Sequence, residues 1–259
     1  MKKYWSLLIP IVLVINACTN KKTEMLKFDF EGLPDSMVSE DIYMNTLGRY
    51  KSFVGYGVFE RRLGIEKEAK GNVLAVNCEP FNSGPKAGLA LITMLEPTDE
   101  ITLSYRVKFD KDFDFCKGGK LLGVSGGEKA EDGKMPEGDD GWVCRFVFNE
   151  DQTASFMFFF PHEFESTYYP LMSGGKPIQF EPGKWYNLQM SLKINTPGKG
   201  NGLITCKMNN IECLSLKDVD FKDCTGLSIN QLTFGVFYNK YSLPQKKEKL
   251  FIDDVCVVK

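Results

Sequence analysis

Histidine is almost absent from this chain: His162 is the sole one in 259 residues. That excludes metal centres built from several imidazoles and leaves few ways to assemble a Ser-His-Asp relay. An excess of charge of one sign is also lacking. Lys and Arg number 32 against 34 Asp and Glu, a formal net charge of −2. With no basic field to follow a phosphate backbone, nucleic acid is not an expected partner. A complete disulfide framework is missing too. Of the eight cysteines, setting aside Cys18 for the reason given below leaves seven, an odd number. In "LITCKMNNIECLSL" the Asn209-Asn210 pair suits a two-residue hairpin turn, which sets Cys206 across from Cys213. Counted out from the turn this is a hydrogen-bonded pair, too widely spaced for an unstrained bridge, so two buried thiols are expected.

Long apolar runs are confined to the N-terminus. Lys2 and Lys3 precede an apolar stretch from Leu7 to Ile15, broken by Pro10 and too short to span a bilayer as a helix. It reads as a signal peptide over residues 1–17. The stretch ends in "INAC" followed by the polar "TNKKTE", and this resembles a bacterial lipobox. The resemblance implies lipidation of Cys18, an anchor linker over 18–25, and attachment to a membrane of the bacterial cell envelope, facing the periplasm or the cell surface. Loss of Lys2 and Lys3 leaves 30 basic against 34 acidic residues, a net charge of −4 for the mature chain.

What is present is alternation. "LSYRVKF" (103–109) puts Leu103, Tyr105, Val107 and Phe109 on one face and Ser104, Arg106 and Lys108 on the other. "NLQMSLKIN" (187–195), "LTFGVFY" (232–238) and "FIDDVCVV" (251–258) follow the same period, separated by Pro- and Gly-containing turns. No useful length of helical period, internal repeat or composition break interrupts residues 26–259. The expected fold is one all-β domain, an antiparallel jelly roll or concanavalin A-like sandwich. The Gly- and Lys-rich "DFCKGGKLLGVSGG" (114–127) reads as a loop, and the "GGEKAEDGKMPEGDDG" stretch, the longest polar segment, reads as another. In "GWVCRFVF" the alternation sends Val143, Arg145 and Val147 to the face opposite Trp142, Cys144, Phe146 and Phe148. An arginine among apolar neighbours needs an acidic partner, water or a ligand. Asp29 and Glu31 near the start and Asp253 and Asp254 near the end are carboxylates that a sandwich could bring together, which leaves open a structural Ca²⁺. No other cofactor is implied.

Five blocks occur in order: "FDFCKGGKLLGVSGG", "DGWVCRFVF", "PGKWYNLQMSLKINTPGKGNGLITCKMNN", "LTFGVFYN" and "FIDDVCV". From about residue 72 onward the chain thereby resembles the polysaccharide lyase family 14 domain of alginate lyases, and is similar to the related glucuronan lyases. The resemblance implies a jelly roll whose concave sheet forms a substrate cleft. It also implies β-elimination on an acidic, uronic-acid-containing polysaccharide: a base removes the C5 proton, a donor neutralises the uronate carboxylate, and an acid protonates the departing C4 oxygen.

Carried over by position, the family's GGKL lysine falls on Lys120, and the arginine of its GWS-x-R strand falls on Arg145. The serine position holds Val143, and the Tyr-x-Tyr pair of the next strand falls on Met157 and Phe159. The groups that meet the carboxylate are thus expected to be present while the family's proton carriers are replaced. Tyr168, Tyr169, His162 and Tyr238 are the candidate substitutes. Lys117, Arg106, Met157 and Phe159 are expected to contact sugar, the last two as an apolar platform. Three functions stay open: a lyase with a reorganised proton relay, a non-catalytic acidic-glycan-binding lipoprotein, and an envelope interaction protein.

Overall fold

The computed structural model describes residues 23–38, 52–127, 139–161, 163 and 165–259. His162, Cys18 and most of the polar 126–141 stretch lie outside the described residues. The strands, in chain order, are β1 Glu24–Phe28, β2 Ser36–Met37, β3 Ser52–Tyr56, β4 Leu63–Glu68, β5 Gly71–Cys78, β6 Leu89–Thr98, β7 Glu100–Phe109, β8 Gly119–Gly127 and β9 Gly141–Phe148. They continue as β10 Ala154–Phe159, β11 Thr167–Pro170, β12 Met172–Ser173, β13 Lys176–Pro177, β14 Trp185–Lys193, β15 Gly202–Met208, β16 Ile211–Val219, β17 Ile229–Tyr238 and β18 Glu248–Val258.

Among the described residues the strand pairings are antiparallel and form two large sheets and a small β12-β13 pair. One runs β16-β15-β14-β7-β18-β5-β4-β2, with β1 also paired to β18, and the other runs β11-β10-β9-β8-β17-β6-β3. The fold is the β-jelly roll that the alternation predicts. Its core is the space between the sheets, filled by Leu103, Tyr105, Val107 and Phe109 of β7 against Trp142, Cys144, Phe146 and Phe148 of β9. Aromatics dominate one end, where Phe109 lies 4.8–5.2 Å, centroid to centroid, from Phe113, Phe115, Phe148 and Phe180. Each such ring pair contributes about 0.5–1.5 kcal/mol beyond its buried area.

Two local readings are corrected. The Gly- and Lys-rich segment around Lys120 is not a loop from Gly119 onward but a central strand of the second sheet, with Lys120 near its start. Its glycines answer to crowding: a Cβ on Gly119 would come within 2.2 Å of the Phe148 ring, and one on Gly123 within 2.0 Å of the Cys144 carbonyl. The second concerns the Asn209-Asn210 hairpin. Both turn residues have positive φ, 51° and 67°, as the expected tight turn requires. However, a bulge follows Lys207↔Glu212, so Cys206 pairs with Leu214 rather than Cys213. Both thiols are buried and free, and Cys213 Sγ donates to the Cys206 carbonyl at 3.3 Å.

The terminal strands do meet, Phe28 pairing with Val255, as the carboxylate reading supposed. Yet Asp29 is engaged by Lys27 at 3.1 Å, and Asp253 and Asp254 by Arg106 at 2.9 and 3.3 Å. Among the described residues no three His, Cys, Asp or Glu side chains gather as metal ligands.

Candidate functional site

The outer face of the seven-stranded sheet carries the site, and its rows follow from the strand register. Tyr168 pairs with Met157, Met157 with Arg145, Arg145 with Gly123, Gly123 with Thr233, and Thr233 with Ile92. Because neighbours across a sheet point to the same side, these residues form one row running from β11 to β6. A parallel row holds Phe159, Val143, Ser125 and Gln231, and a third holds Ser155, Val147, Lys120 and Phe237. The inward residues of β17 are Leu232, Phe234, Val236 and Tyr238. Gln231, Thr233, Gly235 and Phe237 therefore face out.

Arg145 points away from the core, as its strand pattern predicts, and lies along the sheet surface. It is 9% exposed and Lys120 is 7% exposed, so both cations belong to the floor of the face rather than to its rim. The two converge on one ring: the Phe237 centroid is 5.7 Å from the Arg145 guanidinium carbon and 5.9 Å from Lys120 Nζ. Arg145 can lie flat because its neighbours lack side chains. A Cβ on Gly123 would fall 2.4 Å from its own Cβ, and one on Gly235 would fall 3.1 Å from its Nη1. Charge is tolerated at such depth only with hydrogen-bonding or charged company, and a flat guanidinium matches a carboxylate. Beside the cations, Val143, Val147, Met157 and Phe159 form their own buried apolar cluster, separate from the core.

The polar residues of this floor are mostly committed. Ser125 Oγ donates to Gln231 Oε1 at 2.9 Å, and Gln231 Nε2 donates to the Gly127 carbonyl at 3.0 Å. Thr233 differs: it is buried, and its Oγ1 has no hydrogen-bond partner among the described residues.

The expected residues divide by sheet and by face. Lys120, Arg145, Met157, Phe159 and Tyr168 share the outer face. Tyr168 is half-exposed, two strands from Arg145, which at the usual strand spacing places their Cα atoms about 10 Å apart. Tyr169 pairs with Phe156 and turns to the core side of the sheet, where burial and then Glu163 push its phenol upward. Tyr238 is a core residue stacked on Phe113, its hydroxyl donating to the Asp114 carbonyl, and burial raises its pKa strongly. Arg106 sits on the other sheet, outside the sandwich, held by Asp253 and Asp254 and lying 4.5 Å over the Trp185 ring. Lys117 is exposed in the turn before β8, where its backbone N–H donates to Ser242. Sequence reasoning missed Phe237, Thr233, Gly123 and Gly235. The alternate positions of "LTFGVFY" carried the signal for β17, but only its pairing with β8 locates them beside Arg145.

Two cavities lie elsewhere. One of about 460 Å³ beside β16 is lined by Tyr169, Glu163, Asp218, Asp220 and Asp223, the wrong sign for an acidic polymer. Another of about 340 Å³ lies on the opposite sheet beside Arg106, Gln189 and Lys207.

Solved structures share the fold. The marine PL-14 alginate lyase from Aplysia kurodai superposes with a TM-score of 0.73 at 18% identity, covering 91% of this chain and 98% of that one. A mutant of alginate lyase Aly36B in complex with alginate tetrasaccharide gives 0.72 at 17% identity, covering 90% and 96%. The endo-β-1,4-glucuronan lyase from Trichoderma reesei gives 0.55 at 12%, covering 91% and 95%. No curated protein matches the sequence. The profile described as polysaccharide lyase 14 matches residues 80–253, about two thirds of the chain, and the chain belongs to that family.

Proposed function

We propose that this chain binds a uronic-acid-containing polysaccharide on the outer face of the seven-stranded sheet and cleaves it slowly by β-elimination. Arg145 and Lys120 meet the uronate carboxylate, whose neutralisation makes loss of the adjacent C5 proton tolerable. Tyr168, ionised to its phenolate, takes that proton, and the phenol so formed passes it to the C4 oxygen as the C4–O bond breaks and the C4–C5 double bond forms. The row Tyr168–Met157–Arg145 carries this reading, because it puts a phenol on the same face as the guanidinium. The alginate and glucuronan lyases that share the fold supply the substrate class. Membrane attachment through a lipidated Cys18, in the cell envelope, belongs to the same proposal and rests on the N-terminal sequence.

One observation favours a second reading, a non-catalytic acidic-glycan binder. Met157 and Phe159 stand where the family resemblance places two phenols, and both are buried and without hydroxyls. Losing a general acid or base costs about 10²–10⁴ in rate. The test is to incubate the purified chain with alginate and with β-1,4-glucuronan and follow the ultraviolet absorbance of the unsaturated product. Tyr168→Phe is expected to slow formation about 10²-fold or more with unchanged affinity. An unchanged rate removes Tyr168 from the mechanism. Binding that Arg145→Ala abolishes, with no product from the unaltered chain, establishes the binder. Neither binding nor product leaves an interaction surface.

A further inference from the structure

Thr233 is the anomaly on the outer face. Its neighbours Ser125 and Gln231 close a hydrogen-bonded chain with the Gly127 carbonyl, whereas the Thr233 hydroxyl is buried and bonded to nothing among the described residues. A buried hydroxyl without a partner is costly, and a fold that keeps one invites the question of what fills it. Packing does not demand threonine there, since valine has nearly the same shape and an equal preference for strands.

Its position supplies an answer. Thr233 stands two residues before Gly235, on the same face, and Arg145 Nη1 lies 3.1 Å from where a Gly235 Cβ would be. Two residues along a strand span roughly 6.6 Å, comparable to one sugar ring. The next residue in its row, Ile92, is 38% exposed, so the face opens to solvent beside it.

We propose that Thr233 is a substrate-selecting residue: its hydroxyl hydrogen-bonds a ring hydroxyl of the sugar whose carboxylate Arg145 holds. This rests on the reading of Arg145 given above. The pair then measures a distance, from carboxylate to neighbouring hydroxyl, and distinguishes uronic acids by the orientation of that hydroxyl. A site built to bond a hydroxyl discriminates far more strongly than an apolar one, because a wrong ligand leaves the group unpaired again.

The experiment compares Thr233→Val, Thr233→Ser and Arg145→Ala in the full domain, with alginate tetrasaccharide and β-1,4-glucuronan tetrasaccharide as probes. Without ligand, Thr233→Val should raise Tm by about 2–4 °C by removing the unbonded hydroxyl. With the preferred probe it should lose about fivefold to tenfold in affinity, and the ratio between the two probes should shrink. Thr233→Ser should keep both affinity and ratio. A Thr233→Val variant no more stable than the parent would show the hydroxyl already satisfied and overturn the inference. Unchanged affinity and ratio in Thr233→Val, with binding lost in Arg145→Ala, would overturn it while leaving the carboxylate reading intact. Binding that Arg145→Ala does not weaken, or no binding of either probe, would remove the carboxylate reading and this inference with it.

Discussion

Gly235→Ala perturbs the site without deleting any group from it. The new methyl would lie 3.1 Å from Arg145 Nη1 and 3.2 Å from Phe237 Cε1, each a few tenths of an ångström too close. Both atoms sit on side chains that can shift, and φ at 235 is not in the left-handed region. The strain, of order 1 kcal/mol, is offset by the roughly 0.5–1 kcal/mol that alanine gains over glycine within a strand. Tm should therefore change by no more than about 2–4 °C. The guanidinium, however, must retreat by about 0.3–0.5 Å. If a misplacement of about 1 Å costs about 10²-fold, that retreat costs about four- to tenfold at the site. Gly123→Ala provides the contrast, since its methyl would be 2.0 Å from the Cys144 carbonyl and 2.4 Å from Arg145 Cβ. Backbone must move there, and a loss of about 3 kcal/mol or failure to fold is expected. Scanning calorimetry and titration with acidic oligosaccharides read the two effects separately. Full affinity in Gly235→Ala, alongside lost binding in Arg145→Ala, would refute the idea that the glycine gap sets where the guanidinium sits.

Asp253 gives a pH signature. Burial, and the charge of Asp254 beside it, push its carboxyl up to about 6 against the opposing effect of Arg106. A raised acid stabilises the fold fully below its unfolded pKa near 4, and that contribution, about 2–3 kcal/mol, is lost as pH rises through about 6. Glu248, also raised chiefly by burial, slopes in the same direction. The difference in Tm between the parent and Asp253→Asn should therefore vary between pH 4 and 6 and level off above; a constant offset across that range would contradict the argument. At the other end of the chain, Cys18→Ser should release the protein from the membrane fraction, and equal retention would refute lipidation as the anchor.

Much of the fold was legible because alternation states which residues share a face. The strands read at 103–109, 232–238 and 251–258 lie on true strands, that at 187–195 overruns the end of β14 by two residues, and Arg145 faces out of the core as predicted. Alternation does not say which sheet a strand joins, however. Arg106 has the outward parity of a cleft residue, yet β7 belongs to the opposite sheet, where Asp253 receives it. Tyr238 shares its parity with Leu232, Phe234 and Val236, so its burial could have been read from the segment itself. Tyr168 could not be assigned, because its place depends on how β11 pairs with β10. The strand around Lys120 was obscured by its glycines, which normally punctuate loops but here make room for Phe148 and Arg145.

The separate apolar cluster of Val143, Val147, Met157 and Phe159 bears on how this half of the protein assembles. Strands β9 and β10 are buried along their whole lengths, on both faces. In most strands a slip by one residue throws greasy side chains into water and is penalised at once; here the pattern offers little such penalty. The alignment is set by the turn that joins them together with Arg145, whose charge a slip would drive into the core. Asn149 N–H donates to the Thr153 carbonyl, Gln152 N–H to the Asn149 carbonyl, and the Asn149 amide nitrogen to both Thr153 Oγ1 and Ser155 Oγ. Four polar residues in and beside this turn thus help decide that position 145, rather than 144 or 146, presents its side chain to the outer face of the seven-stranded sheet.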